Sequence, residues 1–258
     1  MKRFESEIAL AIWDKAEDVA EDVAGLTSIL EYDLRPGRSH RITDTYYDTV
    51  RGSLRTQRIT CRVRRIDGRL YLSTKSDPTQ IIGKGIRRRE IEVPWSRPSL
   101  LYILRELKLK PLDSRITEFA KLTPSRVFAA SGLVRTQRRL TKRQTRDVLL
   151  HRKRGARSFA ELDIDDVTYQ LNGRRIRLLE LEIEAKARRA LPRIRRITDE
   201  LESLYPDSLR EWAHGKFVTG LAIQRLLTQG RLQNLLHHDL LTPDAFVAID
   251  HTIRTTNL

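Results

Sequence analysis

The sequence predicts an α+β protein built on a closed eight-stranded antiparallel β-barrel, a tunnel with a polar, charged lumen and helices packed against its outside. Three observations predict it. Seven or eight segments alternate charged and apolar residues with a period of two, so each strand carries its charges on one face. Some of those faces are acidic and others basic, and they offset one another when all line a single interior. The apolar faces then point outward and need cover, which amphipathic helical segments between the strands supply.

The clearest strand is RIRLLELEIEAK from Arg175, where Glu180, Glu182 and Glu184 alternate with Leu181, Ile183 and Ala185. Like charges at neighbouring positions on one face repel, so water, facing cations or a bound metal must offset them. Taken alone, the stretch also fits solvated glutamates on a half-wet sheet, or a helix of Leu, Glu and Ala. The other segments decide. FESEIAL from Phe4 repeats the pattern, with Glu5, Glu7 and Ala9 on one face.

The spacing of Trp13, Ala16, Val19, Ala20, Val23, Ala24 and Leu30 predicts a helix over 12–30, ended by Arg35-Pro36-Gly37. Residues 41–49, RITDTYYDT, read as a strand, with Asp44 and Asp48 as turn and cap residues. TCRVRR at 60–65 puts Arg62 and Arg64 on one face, Asp67-Gly68 turns the chain, and LYLSTK returns with Tyr71, Ser73 and Lys75 aligned. RRREIEV at 87–93 aligns Arg88, Glu90 and Glu92 before Pro94.

A helix follows over 100–109, then a short helix or two within 115–130. Residues 133–150 form two basic strands with Arg139, Lys142, Arg143 and Arg146. SFAELDID at 158–165 aligns Glu161, Asp163 and Asp165, and helices follow over 191–204 and 209–227. The last thirty or so residues read as a trailing helix and a tail, with the adjacent His237 and His238 structural. No linker divides the chain: residues 1–225 form the tunnel domain and 226–258 an extension.

Composition narrows the partners. The 258 residues carry a net charge of +15, with 38 Arg and 11 Lys, so the expected partner is anionic. Arginine's planar fork favours phosphate, in a small molecule first and in nucleic acid second. Cys61 stands alone, which excludes an intrachain disulfide and a cysteine metal cage and points to a reducing cytoplasm. No apolar run reaches the roughly 20 residues that span a bilayer, and the acidic start does not suit a signal peptide; the chain reads as soluble, with no membrane partner.

Glu5-x-Glu7, DTYYDT from Asp44, RVRR from Arg62, LYLSTK ending at Lys75, RREIEV around Glu90, TKR ending at Arg143, ELDID from Glu161, ELEIEAK from Glu180 and GKFVTG around Lys216 occur in one order. That order resembles the CYTH domains, the triphosphate tunnel metalloenzymes. The resemblance implies hydrolysis or cyclisation of triphosphate substrates with Mg²⁺ or Mn²⁺, inorganic tripolyphosphate first. Thiamine triphosphatase and class IV adenylyl cyclase activities are the alternatives within the fold, and a non-catalytic polyphosphate or nucleic-acid binder that uses the basic tunnel and surface is the alternative of a different class.

By position the resemblance assigns Glu5, Glu7, Glu180, Glu182, Glu184, Asp163, Glu161 and Glu90 to the metal. It assigns Arg62, Arg64, Lys75, Arg143, Lys216 and Arg88 to phosphate. Glu180, Glu182 and Lys75 stand nearest the chemistry, and a carboxylate or Tyr71 orients the attacking water. The family's first motif is Glu-x-Glu-x-Lys, and Ala9 stands at its lysine. Arg88 or Lys142 must then reach in to supply the missing cation.

Overall fold

The computed structural model describes residues 2–76, 80–82, 85–110, 119–150 and 157–256. Within them the alternating segments pair as one sheet. Its strands are β1 (Lys2–Ile12), β2 (Ser28–Ile29), β3 (Tyr32–Thr49), β4 (Thr60–Ile66), β5 (Arg69–Lys75), β6 (Gln80–Ile82) and β7 (Gly85–Pro94). They continue with β8 (Leu133–Leu150), β9 (Ala160–Leu171), β10 (Arg174–Ala185), β11 (Leu209–Glu211), β12 (Leu236–His237) and β13 (Leu240–Leu241). The helices are α1 (Ala16–Gly25), α2 (Ser53–Thr56), α3 (Arg97–Glu106), α4 (Pro124–Ala130), α5 (Leu191–Leu204), α6 (Lys216–Thr228) and α7 (Pro243–Thr255).

The long strands pair antiparallel in the order β1-β7-β5-β4-β3-β8-β9-β10. β10 pairs again with β1 from Glu7↔Glu184 to Ile12↔Leu179, a seam of six residue pairs. The expected plain eight-stranded cylinder is corrected here, because the sheet has thirteen strands among the described residues. The reason lies at the seam. β1 gives its first half to β7 and part of its second half to β11, while β10 at Arg177 takes β13 in parallel. Backbone groups left over beyond the seam are satisfied by added short strands.

Strand interiors follow the sequence reading, and boundaries differ where an edge was available. Residues 133–150 are one 18-residue strand, since β3 offers a ladder along nearly its whole length. β3 runs on through Pro36-Gly37, with a register shift between Pro36 and Ser39. Glycine is needed there: a Cβ at Gly37 would lie 2.1 Å from Thr145 Oγ1. The expected helix over 209–227 splits because Leu209–Glu211 pairs with β1, leaving the helix to begin at Lys216. His237 and His238 lie at the β12–β13 hairpin rather than on a helix, with ring centroids 4.6 Å apart.

Two apolar clusters cover the sheet's outer face, and a third packs α6 and α7 against one end of its inner face. α1 and α5 press Val19, Val23, Ile194 and Leu201 onto β1, β9 and β10. α6 and α7 press Ile223, Leu226, Phe246 and Ile249 onto Val167 and Tyr169, and α3 and α4 cover β4 and β5 with Leu100, Ile103 and Phe128. Each buried side chain of this kind stabilises by about 1.5–3 kcal/mol. Where the two outer clusters hold the apolar residues of a strand outward, its charged positions face inward. No helix of the described residues is long and apolar enough to cross a membrane.

Candidate active site

The inward faces enclose a cavity of about 370 Å³. Among the described residues its wall carries nine cations, Arg55, Arg58, Arg62, Arg64, Lys75, Arg88, Arg139, Arg143 and Lys216, against the four carboxylates Glu7, Asp163, Glu182 and Glu184. Each cation comes from a strand position of one parity, from α2 or α6, or, for Arg58, from the turn between α2 and β4. The period of two therefore converts a sequence pattern into a common destination.

Carboxylates gather on β9 and β10, where the register sets Glu180 opposite Asp165 and Glu182 opposite Asp163. Arg143 crosses from β8 and donates to Asp165 (2.6 and 2.8 Å) and to Glu182 (2.7 Å), and it pairs with Asp163. Lys216, the first residue of α6, enters the same cluster. Its ammonium pairs with Glu180, with Glu182 Oε1 at 2.6 Å and with Asp165 Oδ2 at 3.1 Å. α6 is fixed there because Tyr169 donates to Lys216 O (2.8 Å) and Gln137 to Phe217 O (3.2 Å).

Crowded burial disturbs these groups in opposite directions. Burial, then the nearby Glu7, pushes Glu182 up to about 7. Burial, reinforced by the Arg143 and Arg139 cations, pushes Lys216 down to about 7 against the pull of its carboxylates. Burial also opposes ionisation of Asp165, but Arg143 and Lys216 outweigh it and hold Asp165 at about 2. Asp163 is raised, by burial first and by its acidic neighbours. Oxygen atoms of Asp165, Glu180 and Glu182 lie within 4.8 Å of one another. Such a hard, all-oxygen donor set fits Mg²⁺ or Mn²⁺. The cation now among those oxygens is Lys216.

On the opposite wall one carboxylate organises three guanidinium groups. Asp44 accepts from Arg64 (2.8 and 2.9 Å), Arg139 (2.5 Å) and Arg62 (3.5 Å), and it is 1% exposed. Burial alone would raise its pKa; the three cations overcome that and hold it well below the usual carboxylate range. Arg62 also reaches Tyr46 Oη at 3.3 Å and Glu90 at 3.4 Å, and Glu90 lies 3.7 Å from Lys75. Arg88 donates to Glu7 at 2.6 Å.

Of the residues expected at the site, Arg62, Arg64, Lys75, Arg88, Arg143, Lys216, Glu7, Asp163, Glu182 and Glu184 line the cavity. Glu180 faces a small adjoining cavity shared with Ala9 and Lys216. Glu90 is buried behind Arg62 and Lys75. Glu161 is not brought in: it pairs with Lys186 at 3.4 Å. Tyr71 is absent from the described cavity wall, and the Glu5 side chain lies outside the described residues.

Of the two cations considered for the gap at Ala9, Arg88 reaches in. The Lys142 side chain is 78% exposed and pairs with Asp166 instead. Ala9 stands in register with Glu182, whose oxygen Lys216 contacts, so α6 also brings positive charge beside the gap.

Sequence reasoning missed Asp44, Arg139, Asp165 and Tyr46 as site residues. Asp44 is not a turn residue; it sits mid-strand between β4 and β8. The parity that selected Arg143 also selected Arg139, and that of Asp163 also selected Asp165, so both were within reach of the same signal.

A family model described as the CYTH domain matches residues 15–214. Among solved structures, HpAC1 from Hippeastrum, an adenylyl cyclase candidate with a dominant triphosphatase activity, superimposes with a TM-score of 0.51 at 17% identity, covering 91% of this chain and 100% of that one. An adenylate cyclase candidate from Bacillus halodurans gives a TM-score of 0.50 at 16% identity, covering 84% of this chain and 96% of the other. At these identities the likeness is one of fold. No curated protein sequence matches significantly.

Proposed function

The chain belongs to the CYTH domain family, and from that premise we propose that it hydrolyses triphosphates in a divalent-metal-dependent reaction, with inorganic tripolyphosphate as the minimal substrate. The eight long strands that pair in a circuit form the tunnel, and the reaction takes place inside it. The observation that carries the reading is the cavity wall, where nine cations, several of them held by the buried carboxylates Asp44 and Glu90, converge on one space beside the trio Asp165, Glu180 and Glu182. Guanidinium and ammonium groups so placed suit a polyanion, whose oxygens accept from several of them at once.

In this mechanism Arg62, Arg64, Lys75, Arg88 and Arg143 hold the non-bridging oxygens and fix the chain of phosphates in line. Asp165, Glu180 and Glu182 hold Mg²⁺ or Mn²⁺, which when bound neutralises charge on the transferring phosphoryl. Asp44 and Glu90 orient the guanidinium groups before substrate arrives, so little reorganisation remains for the reaction step. A carboxylate of the cavity wall orients the attacking water. The buried Cys61 thiol, pushed up to about 12 by burial and then by Asp48, takes no part. A cytoplasmic place of action belongs to the same reading.

Phosphate release from tripolyphosphate, with and without Mg²⁺ or Mn²⁺, tests it. Metal-dependent turnover that falls roughly 100-fold in Glu182→Gln is the expected result. Tight polyanion binding without turnover under either metal would make the protein a binder, and pyrophosphate release from ATP with a cyclic product would make it a cyclase.

A further inference from the structure

One histidine at the cavity has a carboxylate behind it. His214 follows β11, and its ring borders both the main cavity and the small adjoining one beside Ala9. The segment that carries it is pinned on two sides: Trp212 N donates to Ala9 O at 2.8 Å, and Trp212 Nε1 donates to Thr219 Oγ1 at 3.0 Å. The Trp212 ring meets the His214 ring edge-on, with centroids 4.9 Å apart. From α7, Asp250 Oδ1 lies 2.7 Å from His214 Nε2, and Asp250 Oδ2 accepts from Arg254 Nε at 2.7 Å. Asp250 lies beyond residues 15–214 matched by the family model and beyond the GKFVTG run, so the C-terminal extension supplies this partner.

Burial would raise the Asp250 pKa, but His214 and Arg254 outweigh it and hold the carboxyl below its usual value, so it is an acceptor only. Nε2 must therefore donate, and in the neutral ring the lone pair then sits on Nδ1. Among the described residues no other hydrogen bond reaches this ring. The carboxylates that share the small cavity are engaged elsewhere. Glu7 accepts from Arg88, Glu182 accepts from Arg143, and Lys216 pairs with both Glu180 and Glu182. Glu180 and Glu182 also hold the metal in the mechanism above, which takes up the lone pairs a base would need. Resting on the triphosphatase reading, we propose that His214, held by Asp250, is a catalytic residue that takes the proton of the attacking water at Nδ1. The water oxygen bonds to the terminal phosphorus, the bond from that phosphorus to the bridging oxygen breaks, and pyrophosphate leaves with the electron pair. Nδ1 then releases the proton to solvent. Asp250 is a positioning residue, which fixes the tautomer and offsets the charge that the ring gains.

The test is steady-state kinetics on tripolyphosphate with saturating Mg²⁺ or Mn²⁺, for the wild-type chain, His214→Ala, His214→Gln and Asp250→Asn, with thermal melts alongside. His214→Gln should lower kcat about 100-fold and leave KM within about twofold. Added imidazole should restore the kcat of His214→Ala by about tenfold or more and leave the wild type unchanged, which lost packing alone would not produce. Asp250→Asn should lower kcat by about tenfold or more at unchanged KM, because an amide can donate to Nε2 and favour the wrong tautomer. Should the His214 variants melt far below the wild type, Asp250→Asn, which keeps the ring, decides, and an unchanged kcat there overturns the proposal. A kcat of His214→Gln within about threefold of wild type, a loss confined to KM, or a His214→Ala chain that imidazole does not restore overturns the role of His214 and leaves the triphosphatase reading standing. A wild-type chain that turns over no triphosphate under either metal overturns both.

Discussion

Two aspartates in the run DTYYDT show how one residue type serves opposite ends. Asp48 does what its sequence context suggests: it accepts from the backbone N–H of Thr49, Leu54 and Arg55 at 2.7–3.0 Å and so fastens α2. Asp44 lies on the inward face of β3 and neutralises Arg62, Arg64 and Arg139. Removing one partner of such a buried network leaves charges uncompensated, so Asp44→Asn should destabilise by about 3–5 kcal/mol, read from urea midpoints near neutral pH. The pH dependence follows from the lowered pKa. A depressed carboxylate contributes its full stability above its unfolded value of about 3.9 and loses it as pH falls from there through the lower folded value. Wild-type midpoints should therefore fall more steeply than those of Asp44→Asn as pH drops below about 4. Parallel acid limbs would show that Asp44 is not the group concerned. At Lys216 the prediction concerns metal. Its ammonium occupies the space between Asp165, Glu180 and Glu182, so Lys216→Met should melt lower without metal, by roughly 1–3 kcal/mol of stability. It should also gain more than the wild type in a thermal melt when Mn²⁺ is added; an equal or smaller gain would place the ion elsewhere.

The elements were legible where a strict period governed them and obscure where an unpaired edge or a distant strand decided. Alternation in ELEIEAK, TCRVRR and LYLSTK gave the faces of β10, β4 and β5, and hence most of the cavity wall, without knowledge of which strand meets which. α5 was read at its observed limits because its apolar spacing and Pro192 are local signals. The split of 209–227 was not legible, since Leu209–Glu211 has helical spacing and becomes a strand only because β1 offers it a free edge. Nor was the hub at Asp44, because its cations arrive from β4 and β8, and one sequence does not reveal register between segments. α6 carries its own test. A Cβ at Gly220 would lie 2.3 Å from Gln137 Nε2 and 2.6 Å from the Tyr169 ring, so the helix approaches the sheet closely only because this residue has no side chain. Gly220→Ala should cost about 1–3 kcal/mol by overpacking and lift the Lys216 end of α6 out of the carboxylate cluster. A lowered melting temperature together with reduced turnover on tripolyphosphate checks it; a variant as stable and active as wild type would mean that the ring and amide move aside freely.

At the scale of the molecule, the net charge of +15 and the cation excess inside the cavity act on substrate at different ranges. Surface charge acts through solvent and draws in a polyanion before contact, an effect that screening shortens from about 30 Å at 0.01 M salt to about 8 Å at 0.15 M. The cavity cations act at contact, in a partly enclosed wall where salt screens much less. The two contributions separate in kinetics. Raising ionic strength across that range should raise KM for tripolyphosphate severalfold while kcat changes by less than about twofold, because the in-line geometry held by Arg62, Arg64, Lys75 and Arg143 is already formed once substrate is bound. A basic surface used mainly for nucleic acid would behave otherwise, with DNA or RNA affinity falling steeply with salt and tripolyphosphate failing to compete. A kcat that collapses in parallel with the rise in KM would mean that salt breaks the internal network itself, and that the carboxylate–guanidinium pairs of this cavity are held less firmly than their burial implies.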